Sequence, residues 1–156
     1  MTTLPKIALG AWAWGNDGTF GGSLTADTLR PIFDKAMENG LNLWDTAYAY
    51  GMGTSEKVLA GFVKDLPRDS FLISDKFTPQ CADASSPTTM QDMIEMQLKL
   101  MELDRFDIYW IHNVWDNSFG NSNWQNGNST TVQTTSNQTS TAISEWCFAT
   151  AAVVLP

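Results

Sequence analysis

The sequence is poor in residues on which several classes of protein depend. The sequence has nine lysine and arginine residues but seventeen aspartate and glutamate residues, and its formal net charge is −8. Proteins that bind nucleic acid need clustered cations to neutralise phosphates, so we expect no nucleic-acid partner. Only two cysteines are present, Cys81 and Cys147. They lie far apart in segments of different character, which favours reduced thiols over a disulfide framework.

Long apolar runs are absent as well. The first ten residues, MTTLPKIALG, do not place a basic segment before an apolar stretch as a secretory signal does. The apolar segment from Trp146 to Leu155 has about half the length of a membrane span, and we expect it to be exposed and prone to aggregation. We therefore expect a cytoplasmic protein with no membrane segment.

Between Lys6 and His112, short β-type runs alternate with segments of helical periodicity. This order is typical of βαβ units in a parallel sheet. The predicted strands are Ile7–Leu9, Leu41–Trp44, Phe71–Ser74 and Phe106–Ile111. The three helices between them are predicted to follow N-caps at Thr25, at Thr54 or Ser55, and at Thr88 or Thr89. Pro31 falls inside the first helical pattern, where we expect a kink or a fresh first turn.

The composition changes abruptly beyond Asp116. Serine, threonine, asparagine, glutamine and glycine dominate, and Glu145 is the only charged side chain that follows. Such a segment buries too little apolar surface to offset the entropy lost on ordering. We predict one domain over residues 1–115 and a low-complexity, disordered tail over residues 116–156.

Four polar side chains form a candidate catalytic set. Asp45, Lys76 and His112 stand at or near the ends of predicted strands, and Tyr50 follows in a loop. The carboxyl ends of parallel strands meet at one face, so these residues should converge. Reduction of a carbonyl needs a proton donor and a cation near it, which a tyrosine and a lysine can supply, with an aspartate to hold the lysine and an imidazole to orient the substrate oxygen. Each of these residues, taken alone, more often has an ordinary structural role. Their joint placement favours a catalytic site.

The segment from Lys6 to about Asn113 resembles the N-terminal half of the aldo-keto reductases. The stretches that carry the resemblance are LGAW (9–12), GLNLWDTAYAYGMGTSE (40–56), SDKF (74–77) and DIYWIH (107–112). The resemblance implies a (β/α)8 TIM barrel, NADPH as hydride donor and a small-molecule carbonyl substrate, with no metal. It also implies Tyr50 as general acid, with Asp45, Lys76 and His112 as its helpers. By the same resemblance, Gly10, Ala11, Trp12 and Asp45 contact the cofactor.

The resembling part would form about four strands and three helices, roughly half of a barrel of ~250 residues. One hypothesis is an NADPH-dependent oxidoreductase truncated near residue 115 by a shifted reading frame or a foreign ending. A second is a non-catalytic fragment or interaction module on a half-barrel, whose open sheet edges would favour self-association. A third is that two copies pair to complete a barrel.

Overall fold

The chain folds into a five-stranded sheet whose first four strands alternate with helices. The structure is a computed structural model that describes residues 4–20 and 24–112, together with the backbone of residues 152–154. The strands are β1 (Leu9–Gly10), β2 (Leu43–Asp45), β3 (Leu72–Phe77), β4 (Ile108–Ile111) and β5 (Ala152–Val154), and the helices are α1 (Ala26–Glu38), α2 (Thr54–Val63) and α3 (Thr89–Met101). The first four strands are parallel and lie in chain order. The predicted α/β class, with four strands and three helices, is confirmed.

The strand boundaries differ from the sequence prediction, most of all in β3. This strand continues past its predicted end at Ser74 as far as Phe77, because residues 74–77 pair in register with Ile108–Ile111 of β4. Lys76 therefore lies within a strand and not after one. Asp45 is the last residue of β2, where it pairs with Ser74 of β3.

The helix starts follow local hydrogen bonding. The backbone N–H of Thr28 donates to the Thr25 hydroxyl and the N–H of Thr25 donates to the Thr28 hydroxyl, so the predicted cap of α1 is confirmed as a capping box. This helix is continuous across Pro31, so no fresh first turn begins there. The predicted cap of α2 is wrong by one residue: Gly53, in the left-handed region at φ 87°, occupies that position. Thr88 precedes α3 as predicted.

The sheet buries one face beneath the helices. Trp44 and Ile73 are neighbours across β2 and β3, and both are almost fully buried among apolar helix residues. The helix residues that complete this core include Leu29, Phe33, Leu59, Phe62 and Met101. Because side chains alternate along a strand, Asp45, Ser74, Lys76 and Trp110 point to the opposite face. The face away from the helices therefore carries the ion pair and its hydrogen-bond partners.

The edge of β4 is covered, contrary to the expectation of an open edge. Ile108, Tyr109 and Trp110 pair antiparallel with Val154, Val153 and Ala152 of β5. The predicted disorder of residues 117–141 lies outside the described residues, as does the predicted exposure of the apolar side chains near the C-terminus. Within the part of the chain that the structure describes, no helix is long and apolar enough to cross a membrane.

Candidate functional site

An ion pair joins β2 to β3 at the carboxyl end of the sheet. Lys76 Nζ lies 2.7 Å from Asp45 Oδ2 and donates a second hydrogen bond to the Thr46 carbonyl at 2.6 Å. The side chains are 11% and 29% exposed, so the pair is shielded from solvent without being sealed off. Two of the three ammonium donors are thereby satisfied, and the position of the charge is fixed.

The Tyr50 ring packs against three side chains from three different parts of the chain. Lys76 Nζ lies 4.9 Å from the ring centroid. Trp12 stacks on the ring at a centroid distance of 5.5 Å and an interplanar angle of 16°. His112 meets it edge-on at 5.9 Å. The structure therefore brings together the four predicted side chains, Asp45, Tyr50, Lys76 and His112. Their chemical roles stay predictions.

Two glycines hold the Tyr50 loop in place. Gly51 adopts φ +68°, and a Cβ added there would lie 1.9 Å from the Gly15 carbonyl oxygen. A Cβ added to Gly15 would lie 2.5 Å from the carbonyl carbon of Tyr50. Only glycine allows two backbones to approach this closely, and only glycine adopts a positive φ without cost. The loop is thus pressed against the 3-10 turn Trp12–Gly15 that carries the stacking tryptophan.

His112 follows β4 and is anchored at two points. Its backbone N–H donates to the Phe77 carbonyl at 2.8 Å, and Nδ1 lies 3.1 Å from the buried Thr78 hydroxyl. Burial lowers the pKa of His112 from 6.5, the charge of Lys76 lowers it further, and Asp45 opposes the change. The imidazole is therefore neutral near neutral pH.

The segment implied to contact a cofactor lies directly beside Asp45. The Ala11 N–H donates to the Asp45 carbonyl at 2.8 Å, and the Ala11 carbonyl accepts from the Ser55 hydroxyl at 2.7 Å. Ala11 is fully buried, whereas Trp12 is 44% exposed and a Cβ on Gly10 would meet no atom within 4 Å. Gly10 and Trp12 are thus accessible to a bound molecule, while the carbonyl oxygen of Ala11 is already engaged.

Two residues that bear on the site were not predicted. Trp110 Nε1 donates to Ser74 Oγ at 2.8 Å, and Ser74 Oγ donates to Asp45 Oδ1 at 2.7 Å. The strand period offered one signal: within β3, Ser74 lies two residues before Lys76 and so shares its face of the sheet.

A second polar cluster lies on the helix side of the sheet. Glu56 of α2, Asp75 of β3 and Gln97 of α3 are each 0% exposed. Gln97 donates to Asp75 Oδ1 at 3.2 Å and accepts from the Tyr109 hydroxyl. Burial raises the pKa of Glu56 to about 7, and burial together with the charge of Glu56 raises that of Asp75. Sequence analysis did not identify this cluster.

Comparison with known proteins relates this arrangement to one family. The model described as "Aldo/keto reductase family" matches residues 6–134, beyond the predicted boundary at residue 115. The chloroplastic pyridoxal reductase of Arabidopsis thaliana is 42% identical over 68 residues, which cover 40% of this chain and 19% of the plant protein. The NADH-specific methylglyoxal reductase of Escherichia coli is 27% identical over 125 residues, which cover 70% of this chain and 38% of that protein.

A solved structure shares the fold. The aldo/keto reductase from Klebsiella pneumoniae, crystallised with NADP and acetate, matches with a TM-score of 0.55 at 25% identity. The match covers 68% of this chain and 34% of that one. The predicted partial barrel is therefore confirmed over the shared region, and the chain spans well under half the length of each of these relatives.

Proposed function

Since the chain belongs to the aldo/keto reductase family, we propose that its four clustered side chains form the proton-donating part of a site that reduces an aldehyde or ketone. In this proposal Tyr50 is the general acid, Lys76 and Asp45 assist it, and His112 orients the carbonyl. The observation that carries the proposal is the position of Lys76 Nζ, 4.9 Å from the Tyr50 ring centroid and held there by Asp45.

Lys76 supports proton donation by its charge. When a phenol gives up its proton, negative charge appears on its oxygen, and a cation fixed nearby stabilises that charge. The ion pair with Asp45 and the bond to the Thr46 carbonyl prevent Lys76 from turning towards solvent. The proton would pass from the Tyr50 hydroxyl to the carbonyl oxygen of the substrate.

His112 supports orientation of the substrate. A neutral imidazole carries one N–H donor, and contact of Nδ1 with the Thr78 hydroxyl can fix which nitrogen bears it. If the hydroxyl donates to Nδ1, the proton lies on Nε2. That N–H can then hold the carbonyl oxygen within reach of Tyr50, since the two rings are 5.9 Å apart.

NADPH is the proposed cofactor, and when bound it would supply the hydride for reduction of the carbonyl. The residues proposed to hold its nicotinamide end are Gly10, Ala11, Trp12 and Asp45. The local surface fits a flat ring: an exposed indole lies beside open backbone at Gly10, and the partly exposed Asp45 carboxylate is adjacent. NADH is the competing cofactor, because the E. coli relative is named as specific for it.

The alternative is a non-catalytic interaction module. It is favoured by one observation: β1 stands at the end of the sheet order opposite β5, so the part of the sheet that the structure describes is not closed into a barrel. In the proposed enzyme, the remainder of the cofactor site would lie on strands that follow β4 in complete family members. We also propose that the sequence departs from the aldo/keto reductase pattern near residue 115, because charged side chains almost disappear beyond Asp116.

The deciding experiment combines cofactor binding with turnover. NADPH is titrated into the intact chain while tryptophan fluorescence is followed, and aldehyde-dependent loss of NADPH absorbance is then measured. Tyr50→Phe is expected to lower turnover by about 10² to 10⁴-fold with NADPH affinity unchanged, because the ring remains and only the proton donor is lost.

The matched control is Tyr48→Phe, which removes a hydroxyl from the same loop and is expected to leave turnover unchanged. Undiminished turnover in Tyr50→Phe would refute the catalytic assignment. If the unaltered chain neither binds NADPH nor consumes it, the interaction module is the better description.

A further inference from the structure

A directed chain of hydrogen bonds runs from β4 to the Asp45 carboxylate. Trp110 Nε1 donates to Ser74 Oγ at 2.8 Å, and Ser74 Oγ donates to Asp45 Oδ1 at 2.7 Å. An indole N–H can only donate and a carboxylate can only accept, so the direction of both bonds is fixed. The serine hydroxyl is left with no freedom to point elsewhere.

This chain occupies the carboxylate oxygen that the lysine does not use. Lys76 binds Oδ2, and Ser74 binds Oδ1. Ser74 is 3% exposed, whereas the Asp45 side chain is 29% exposed. The buried hydroxyl is therefore the contact that holds the partly exposed carboxylate against rotation towards water.

The strand register makes the contact possible. Asp45 is paired with Ser74 across β2 and β3, and Trp110 is paired with Lys76 across β3 and β4. Trp110 therefore reaches diagonally to the residue two positions before its own partner, on the same face. The indole connects the strand that leads to His112 with the carboxylate that holds Lys76.

We propose that Ser74 and Trp110 are positioning residues for the proposed carbonyl reduction, and that they act by fixing the Asp45 carboxylate that holds Lys76 beside Tyr50. This inference rests on the proposed function. Neither residue is required to touch the substrate or the cofactor. Their effect is on the geometry of proton donation, which is sensitive to displacements of about 1 Å.

The first test is spectroscopic and does not require turnover. The Trp110 indole N–H signal is identified in a nitrogen-proton spectrum of the intact chain by its loss in Trp110→Phe. Replacing Asp45 by asparagine is expected to move this signal in the wild-type background, because the charge is relayed through the Ser74 hydroxyl. In a Ser74→Ala background the same replacement is expected to leave the signal where it is. An equal movement in both backgrounds would overturn the proposal.

The second test is kinetic. Ser74→Ala and Trp110→Phe are each expected to lower kcat by about 10 to 100-fold with little change in KM. Ser74→Thr, which keeps the hydroxyl, is expected to restore most of the loss. Ser70→Ala, which removes an exposed hydroxyl bonded to the Pro67 carbonyl, is the matched control and should leave kcat unchanged.

The outcomes separate this inference from the proposed function. Loss of turnover in Tyr50→Phe with wild-type kcat in both Ser74→Ala and Trp110→Phe would overturn the positioning role alone. Full turnover in Tyr50→Phe would overturn the proposed function. If Ser74→Ala does not fold, as judged by thermal unfolding, Trp110→Phe and Ser74→Thr still decide the matter. Wild-type kcat in Trp110→Phe, with Ser74→Thr also at the wild-type level, would then contradict the inference.

Discussion

The stability of this protein is predicted to fall as the pH rises, because a buried carboxyl must ionise. Glu56 is 0% exposed, and within the described part of the chain neither of its carboxyl oxygens has a hydrogen-bond partner. One oxygen of the neighbouring Asp75 is also unpartnered. Water would stabilise a charge on Glu56 in the unfolded chain, and in the folded chain the Gln97 amide and the charges of Lys57 and Lys76 offset only part of that loss.

The magnitude follows from the raised pKa. Burial raises the pKa of Glu56 from 4.5 to about 7 in the folded protein. At about 1.36 kcal/mol per pH unit, the shift corresponds to about 3 kcal/mol of folding free energy. Between these two values the folded state holds a proton that the unfolded state has released. The contribution is therefore fully present below about pH 4.5 and is lost as the pH rises through about 7.

The assay is urea unfolding of the wild type and of Glu56→Gln across this pH range. Glutamine keeps the shape without the titration, so the variant should gain stability relative to the wild type by about 3 kcal/mol between about pH 4.5 and pH 8. Because Asp75 is close, the gain reports on the carboxyl pair and not on Glu56 alone. Glu95→Gln, an exposed carboxyl on α3, is the matched control and should show the pH dependence of the wild type. A difference between wild type and Glu56→Gln that stays constant with pH would refute the reasoning.

Two further predictions concern a close approach beside the site and an ion pair at the opposite end of the sheet, and both are checked by urea unfolding at one pH. Gly51→Ala should destabilise the protein by about 2 kcal/mol or more, since the new Cβ adds strain at φ +68° and meets the Gly15 carbonyl. Gly61→Ala in α2 has open space and should stabilise by roughly 0.5 to 1 kcal/mol, so similar losses in both variants would contradict the role of the close approach. Arg68→Met should cost about 3 kcal/mol, because it removes the 2.7 Å ion pair of Asp107, whose side chain is only 15% exposed and whose other cation, Arg105, is 4.0 Å away. Lys35→Met, which breaks an ion pair between two exposed side chains, should cost less than about 1 kcal/mol, and an equal cost would show that burial does not set the difference.

Much of the fold could be predicted because its signals are local. The alternation of apolar runs and helical periods was enough to order four strands and three helices, and a threonine at the start of α1 was enough to identify its cap. The length of β3 was not predictable in this way. Its last residues form a strand because they pair with β4, which is distant in sequence.

The candidate site was predictable to a similar degree. Asp45, Lys76 and His112 were identified from their places at strand ends, and Tyr50 from the loop that follows. The solvent exposure of charged side chains near the sheet was not predictable from the sequence. Glu56 in the first turn of α2 is typical of a solvent-facing acid that favours the helix dipole, yet it is fully buried. Packing of α2 against α3 and the sheet removes it from water.

The amino-acid order by itself determined which residues share a face of the sheet, since side chains alternate with a period of two along every strand. It thereby placed Ile73 and Ser74 on opposite faces, and likewise Tyr109 and Trp110, because both pairs lie inside predicted strands. Only the tertiary structure decided which of these side chains bond to one another, because that depends on the register between strands and on the approach of Gly51 to Gly15. Register and backbone approach are set by packing between distant segments, and no local pattern in the sequence encodes them.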